Sequence, residues 1–308
     1  MKKVIFTTIQ DNLEASKMLE VALKSFYRFN KGFDFKVYCL DNSKDKFEEY
    51  FNKFNFKNLE FINFKDNTKW LDFVNSDKNT FKNRDDFFTF NTDVCISKLE
   101  IVDILLKEYD LVIMSDIDII YTDSIDRCFP DFIKSDKFIA GKQHRCESNN
   151  LYLNSGFVIF NKNSTDFVEN IFDRSLRISK RYLRCLFNKD FDSIDQDLLS
   201  ALVRSKFVLE NISCPNIDSD IKIIENPILI HYAGKEFKPD TNKFYNNLID
   251  KSKYVHSFYE YKLFYKRICE LFDVDITVNP VIVNNPGTYF LKKKIHGYLE
   301  KIYEKFLD

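Results

Sequence analysis

The chain has 308 residues, of which 44% are hydrophobic, enough to build one large α/β domain with an appendage or two small domains. Its 46 basic and 47 acidic residues nearly cancel, so the overall charge gives no indication of a nucleic-acid partner. The seven cysteines never occur as C-x-x-C, which argues against a zinc site and a disulfide framework. The apolar runs are too short for a signal peptide or a membrane-spanning helix. We therefore expect a cytoplasmic protein, and leave open a peripheral position at the inner face of a membrane.

The N-terminal residues predict a β-α-β unit. The segment KKVIFTT predicts a strand, the segment from Asn12 to Phe29 has apolar residues at helical spacing, and FDFKVYCLD predicts a second strand ending at Asp41. A helix between two strands usually joins parallel neighbours, so this order predicts a parallel sheet. The expected fold class is α/β, with a mixed, mostly parallel sheet flanked by helices.

The middle of the chain continues this alternation. Residues 44–90 are less regular, apart from a strand predicted at LEFINF. The later predicted elements are a helix over 92–109, strands at LVIM, DKFIAGK and LYLNSGFVIFNKN, a helix over roughly 164–182, a helix from Ser193, and a short strand before HYAGKEFKP.

Two aspartates follow the most apolar of these strands. The run from Leu111 to Met114 predicts a strand buried on both faces, and Asp116 and Asp118 come directly after it. Ligands of open α/β sheets bind at the carboxyl ends of strands, where these carboxylates are expected. Two carboxylates at i and i+2 of an extended chain repel each other unless a cation, a proton or solvent relieves them. A cation site and a solvated acidic turn are both open interpretations at this point.

The C-terminal residues have a different character. Residues 246–308 are rich in aromatic and basic residues, and we expect them to form a helical extension of a domain over 1–245. Residues 289–308 combine apolar residues with several lysines. The apolar positions are Phe290, Leu291, Ile295, Leu299, Ile302 and Phe306. A helix of this kind can lie on an anionic membrane, pack on its own domain or form an oligomer interface. All three possibilities stay open, and so does the oligomeric state.

Four short patterns occur in order along the chain: D-x-D at Asp116 and Asp118, NSG at 154–156, DQD at 195–197, and HYAGKEFKP from His231. Together with VIFTTIQDN and the helix and strand before Asp116, they resemble the retaining glycosyltransferases of family 8, which include glycogenin and lipooligosaccharide galactosyltransferases. The resemblance extends from residue 4 to about 239. It implies a GT-A, Rossmann-like fold.

The resemblance implies a divalent metal bound by Asp116, Asp118 and His231. Such a cation removes the repulsion between the carboxylates and neutralises a diphosphate leaving group. Mixed oxygen and nitrogen ligands suit Mn²⁺, with Mg²⁺ as the alternative. The competing interpretation of His231 is a surface-loop histidine.

The resemblance also implies a UDP-sugar donor. Lys98 stands where the family commonly has arginine, and an extra residue before Lys238 leaves open whether Lys235 or Lys238 contacts phosphate. A β-turn is the other interpretation of the NSG segment. The implied donor-binding residues are Thr7, Thr8, Asp11, Asn12, Lys98, Asn154, Ser155, Gly156, Gly234, Lys235 and Lys238.

The implied catalytic residues are Asp195 and Gln196, with Gln196 facing the anomeric carbon. An amide is a poor nucleophile, so we favour same-face attack on the donor over double displacement through Asp195. Simple capping of a helix that begins at Ser193 would also explain these residues.

The expected activity is metal-dependent, retaining transfer of a hexose, glucose or galactose, from a UDP-sugar to a glycan, a lipid-linked saccharide or another hydroxyl acceptor. One alternative is a haloacid dehalogenase-like phosphatase, with Asp116 as nucleophile and Asp118 as acid. The other is a non-catalytic module that binds a UDP-sugar.

Overall fold

The computed structural model describes residues 1–64, 91–145, 151–174, 199, 226–232, 255–276 and 289–307. The elements in chain order are β1 (Lys3–Ile9), α1 (Leu13–Phe29), β2 (Asp34–Cys39), α2 (Lys44–Phe51), β3 (Leu59–Asn63), α3 (Asn91–Leu105), β4 (Leu111–Ser115), β5 (Ile119–Tyr121), α4 (Phe129–Lys134), β6 (Ile139–Arg145), β7 (Leu151–Asn161), β8 (Leu229–His231), α5 (Val255–Leu271) and α6 (Tyr289–Leu307). They belong to two compact units, one formed by residues 1–11, 32–116 and 128–212, the other by residues 12–31, 117–127 and 213–308.

The first unit contains a six-stranded mixed sheet in the order β3-β2-β1-β4-β7-β6. Strands β3, β2, β1 and β4 are parallel, whereas β7 runs antiparallel to both β4 and β6. In this register Val4 lies opposite Asp34 on one side and Val112 on the other. The carboxyl ends of β1, β2 and β4 therefore meet at one edge of the sheet, as predicted for an α/β fold.

The apolar composition of β1 and β4 follows from their central position. Every residue of β4 is buried, and its Val112 and Met114 share a cluster with Leu99 and Val102 of α3. Strands with both faces covered need continuous apolar runs, whereas strands with one solvated face alternate. The LVIM segment thus forms the strand that its sequence predicts.

The second unit combines helices α1, α5 and α6 with a small antiparallel sheet of β5 and β8. Asn12 caps α1, because its side-chain oxygen accepts the backbone N–H of Glu14 at 2.9 Å. In β5 and β8 the residue pairs are Ile119 with His231 and Tyr121 with Leu229. This pairing joins two segments that lie far apart along the chain.

Helix α6 packs its apolar side chains inside the second unit. Ile295, Leu299, Ile302 and Phe306 are buried in one cluster with residues of α1, β5, β8 and α5. This is the arrangement expected for a helix that packs on its own domain. In the described ranges, every helix falls short of the length and apolar content needed to cross a bilayer.

Some predicted elements differ from the structure. The helix predicted from about 164 begins at residue 171, after turns over 162–166. The carboxylate of Asp103 accepts the backbone N–H groups of Ile171 at 2.7 Å and Phe172 at 2.8 Å, so a residue distant in sequence fixes this helix start. The helices α2 and α4 and the strand β5 are additional to those predicted. The boundary expected at 245/246 lies outside the described residues.

Candidate functional site

The site is built at the end of β4. Asp116 follows the last residue of β4, and its backbone N–H donates to the carbonyl of Gly156 at 2.8 Å. Gly156 lies on β7, the antiparallel neighbour of β4. The D-x-D and NSG patterns, separated in the sequence, are therefore in direct backbone contact.

Lys98 of α3 forms an ion pair with Asp116 through its Nζ and the carboxylate Oδ1. The Lys98 side chain is 7% exposed and that of Asp116 is 26% exposed. Because water screens such a pair only partly, its attraction is stronger than that of a surface ion pair. Lys98, which the resemblance assigns to the donor, thus contacts Asp116, a predicted metal ligand.

Asp118 and His231 form the second pair. Their side chains are 7% and 3% exposed, and Nε2 of His231 lies 3.3 Å from Oδ1 of Asp118. The backbone carbonyl of Asp118 accepts the N–H of Tyr232 at 2.9 Å. The pairing of β5 with β8 places this histidine beside the aspartate, so His231 is a buried residue and not a surface-loop histidine.

Asp116, Asp118 and His231 each offer one ligand atom, and these atoms all lie within 4.8 Å of one another. Two atoms bound to one divalent ion at 2.1 Å are separated by about 3 to 4 Å, so only a small adjustment is needed to bring all three onto one ion. Two carboxylates and an imidazole form a donor set that suits Mn²⁺ and related divalent cations. The three residues fit a divalent metal.

The NSG segment lies inside strand β7. The amide oxygen of Asn154 accepts the N–H of Gly156 at 2.9 Å, and the register of β6 against β7 shifts between Gly141 and Gln143. Asn154 and Ser155 are buried. The segment is thus an irregularity within a strand and not a β-turn ahead of one, and irregularities of this kind often redirect side chains near functional sites.

The predicted nucleotide-loop residues lie at and beyond the end of β1. Thr7 and Thr8 are buried, and the Thr8 hydroxyl has no hydrogen-bond partner among the described residues. The Asp11 carboxylate forms an ion pair with Lys46, while Asn12 caps α1. A buried hydroxyl left without a partner is unfavourable, so Thr8 can accommodate a polar group from a ligand.

One carboxylate at this edge is not among the site residues predicted from the sequence. Asp41 follows β2, and its carboxylate accepts hydrogen bonds from the Asp11 backbone N–H and the Ser43 hydroxyl. Burial alone raises the pKa of Asp41, but these hydrogen bonds outweigh it and hold the pKa below its usual value. Strands β1 and β2 are parallel neighbours, so the rule that ligands bind beyond the carboxyl ends of strands could have included Asp41.

The remaining predicted site residues lie outside the described residues. They are Asp195, Gln196, Gly234, Lys235 and Lys238. Their roles stay predictions from the sequence.

No family model matches the chain, and no curated protein matches it. Solved structures do. The galactosyltransferase LgtC in complex with donor and acceptor sugar analogues has 16% identity and a TM-score of 0.56, covering 94% of this chain and 99% of that one. An active-site mutant of LgtC gives the same identity and TM-score over 77% and 90% of the two chains. Mouse xyloside xylosyltransferase 1, in its apo form, has 13% identity and a TM-score of 0.51, covering 75% and 96%.

At these identities the likeness is one of fold. The three structures are glycosyltransferases, and they share with this chain a mixed, mostly parallel sheet flanked by helices. The protein has the GT-A glycosyltransferase fold.

Proposed function

We propose that the protein is a metal-dependent, retaining glycosyltransferase that moves a hexose from a UDP-sugar to a glycan or other hydroxyl acceptor. The observation that carries this proposal is the convergence of Asp116, Asp118 and His231, whose ligand atoms lie within 4.8 Å of one another at the end of β4 in a GT-A fold. Glucose or galactose is the proposed sugar, and the likeness to a galactosyltransferase is consistent with this choice.

In this proposal, one set of residues would bind the metal and another would bind the donor. Asp116, Asp118 and His231 would hold the cation, which when bound neutralises negative charge on the diphosphate leaving group. Thr7, Thr8, Asp11 and Asn12 would bind the nucleotide, and Asn154 to Gly156 would line the sugar pocket. Lys98, Gly234 and either Lys235 or Lys238 would contact the diphosphate. Preorganised charges and dipoles of this kind stabilise charge that develops in a transition state.

Retention would follow from same-face attack. Gln196 would face the anomeric carbon, where an amide can orient the donor but is a poor nucleophile. The incoming hydroxyl would pass its proton to an oxygen of the departing phosphate. Trapping a glycosyl adduct on Asp195 would instead favour double displacement.

Thermal unfolding with UDP, with Mn²⁺ and with both would test the metal site. A ligand present at about 100 times its Kd adds about 2.7 kcal/mol of stability, or roughly a few degrees in Tm for a chain of this size. We expect the shift with both ligands to exceed the sum of the separate shifts in the wild type. Asp118→Asn should lose this excess.

A control variant and an activity assay complete the test. Asp131→Asn changes an exposed aspartate on α4 and should keep the wild-type excess. Hydrolysis or transfer of a sugar from UDP-glucose or UDP-galactose would then establish the activity. Synergy without turnover would favour the binding module, and phosphate release from an aryl phosphate, without synergy, would favour the phosphatase.

A further inference from the structure

Lys98 places an ammonium group directly beside one of the candidate metal ligands. Its Nζ donates a hydrogen bond to Oδ1 of Asp116, and its side chain is 7% exposed. Helix α3, which carries Lys98, packs against β1 and β4, so the lysine projects from a fixed scaffold. The ammonium group and a divalent cation would have to share the carboxylate of Asp116.

Two cations on one carboxylate repel each other. The Coulomb energy between charges a few ångströms apart grows as the effective dielectric constant falls, and Lys98 is shielded from solvent. Mobile salt ions screen buried charges much less than exposed ones. The Lys98 charge therefore opposes a metal ion bound to Asp116.

The same lysine has a clear use when the metal is absent. Asp116 and Asp118 lie two residues apart, and uncompensated carboxylates at that separation repel. The ammonium group neutralises Asp116, and His231 lies beside Asp118. The folded protein can therefore keep Asp116 and Asp118 close together without a bound ion.

We propose that Lys98 is a built-in cation that competes with the divalent metal for Asp116, and that a nucleoside diphosphate relieves this competition. The negative diphosphate would attract both the metal and the Lys98 ammonium, so that each keeps an anionic partner. Metal binding is then weak without nucleotide and strong with it. This inference rests on the proposed function, because it assumes the metal and the diphosphate donor.

Mn²⁺ binding measured by electron paramagnetic resonance, with and without saturating UDP, tests the proposal. Without UDP, Lys98→Met should bind Mn²⁺ at least about fivefold more tightly than the wild type, because the competing charge is gone. The factor by which UDP tightens Mn²⁺ binding should fall by a similar amount. Binding coupling is reciprocal, so the factor by which Mn²⁺ tightens UDP binding should fall equally.

Further variants separate charge from packing. Lys98→Gln keeps a hydrogen-bond donor for Asp116 without the charge. It should show the same tighter Mn²⁺ binding as Lys98→Met, and it serves as the charge-free variant if Lys98→Met folds poorly. Lys98→Arg keeps the charge and should keep wild-type Mn²⁺ affinity. Lys137→Met is the control for removing a lysine from an ion pair elsewhere, since Lys137 lies 3.3 Å from Asp166, and it should leave Mn²⁺ binding unchanged.

The outcomes distinguish this inference from the proposed function. If the wild type binds Mn²⁺ together with UDP but folded Lys98→Met and Lys98→Gln bind Mn²⁺ alone no more tightly, the competition is refuted and the metal site stands. If the wild type and Asp118→Asn bind Mn²⁺ equally poorly with UDP present, both proposals are overturned.

Discussion

The backbones around Asp118 and His231 hold the two side chains next to each other. Nε2 of His231 lies 3.3 Å from the Asp118 carboxylate, and the residue after His231 donates its N–H to the Asp118 carbonyl at 2.9 Å. The strand pairing continues with Ile119 opposite His231. Backbone hydrogen bonds fix the separation of two strands, so the pairing of β5 with β8 sets the distance between the backbone of His231 and that of Asp118.

Replacing His231 should weaken metal binding while keeping the fold. In His231→Ala the backbone pairing of β5 and β8 is retained, but the nitrogen ligand is lost. We expect Mn²⁺ affinity in the presence of UDP to fall by about tenfold or more, on the scale seen when groups that support a metal site are removed. Isothermal titration with Mn²⁺ measures the affinity, and near-UV circular dichroism checks the fold. An unchanged affinity would exclude His231 as a ligand.

Removing the hydroxyl of Tyr232 should lower the stability of the second unit. Tyr232 is buried, and its hydroxyl donates to the carbonyl of Tyr261 on α5 at 2.9 Å. A buried hydrogen bond contributes about 0.5–1.5 kcal/mol, so Tyr232→Phe should reduce the free energy of unfolding by that amount. Urea titration followed by circular dichroism measures the change. Equal midpoints for the variant and the wild type would show that this bond is not stabilising.

The central sheet could be predicted because local sequence patterns specify its strands. Strands β1 and β4 are buried on both faces and read as continuous apolar runs, and α1 has the spacing of an amphipathic helix. The ends of these strands then place Asp11 and Asp116 at one edge of the sheet. The nearness of Asp116, Asp118 and His231 was expected from the resemblance, and the structure brings their ligand atoms within 4.8 Å. Their role as ligands stays a prediction.

Features that depend on distant pairs could not be predicted. Strand β5 is three residues long and exists because it pairs with β8, so no local pattern marks it. The helix that begins at residue 171 starts where Asp103 of α3 accepts two backbone N–H groups. The contact of Lys98 with Asp116 likewise depends on how α3 packs on the sheet. Tertiary contacts of this kind override local propensity.

The stabilising contribution of Asp123 should depend on pH. Burial raises the pKa of this carboxyl, but hydrogen bonds from the Ser124 N–H and from Lys305 of α6 outweigh it and hold the pKa below its usual value. A carboxyl whose pKa is lowered on folding contributes stability that is full above its unfolded pKa, about 3.9, and is lost as the pH falls through the folded value.

The variant Asp123→Asn makes this dependence measurable. We expect it to be less stable than the wild type by about 0.5–1 kcal/mol at pH 7, a modest value because the carboxyl is partly exposed. The difference should shrink as the pH falls below about 4. Urea titrations of both proteins across this range give the comparison. A difference that stays constant into acid would show that Asp123 acts through packing and not through its charge.

Replacing Leu299 with alanine should lower the free energy of unfolding more than a substitution on the exposed side of α6. Leu299 is buried in the cluster that α6 forms with α1 and α5. Replacing a buried leucine by alanine costs about 2–5 kcal/mol, through lost burial and the cavity left behind. Lys301→Ala, an exposed change two residues away on the same helix, should stay within about 0.5 kcal/mol of the wild type. Urea unfolding measures both variants, and a Leu299→Ala protein as stable as Lys301→Ala would mean that the apolar face of α6 is not held in the core.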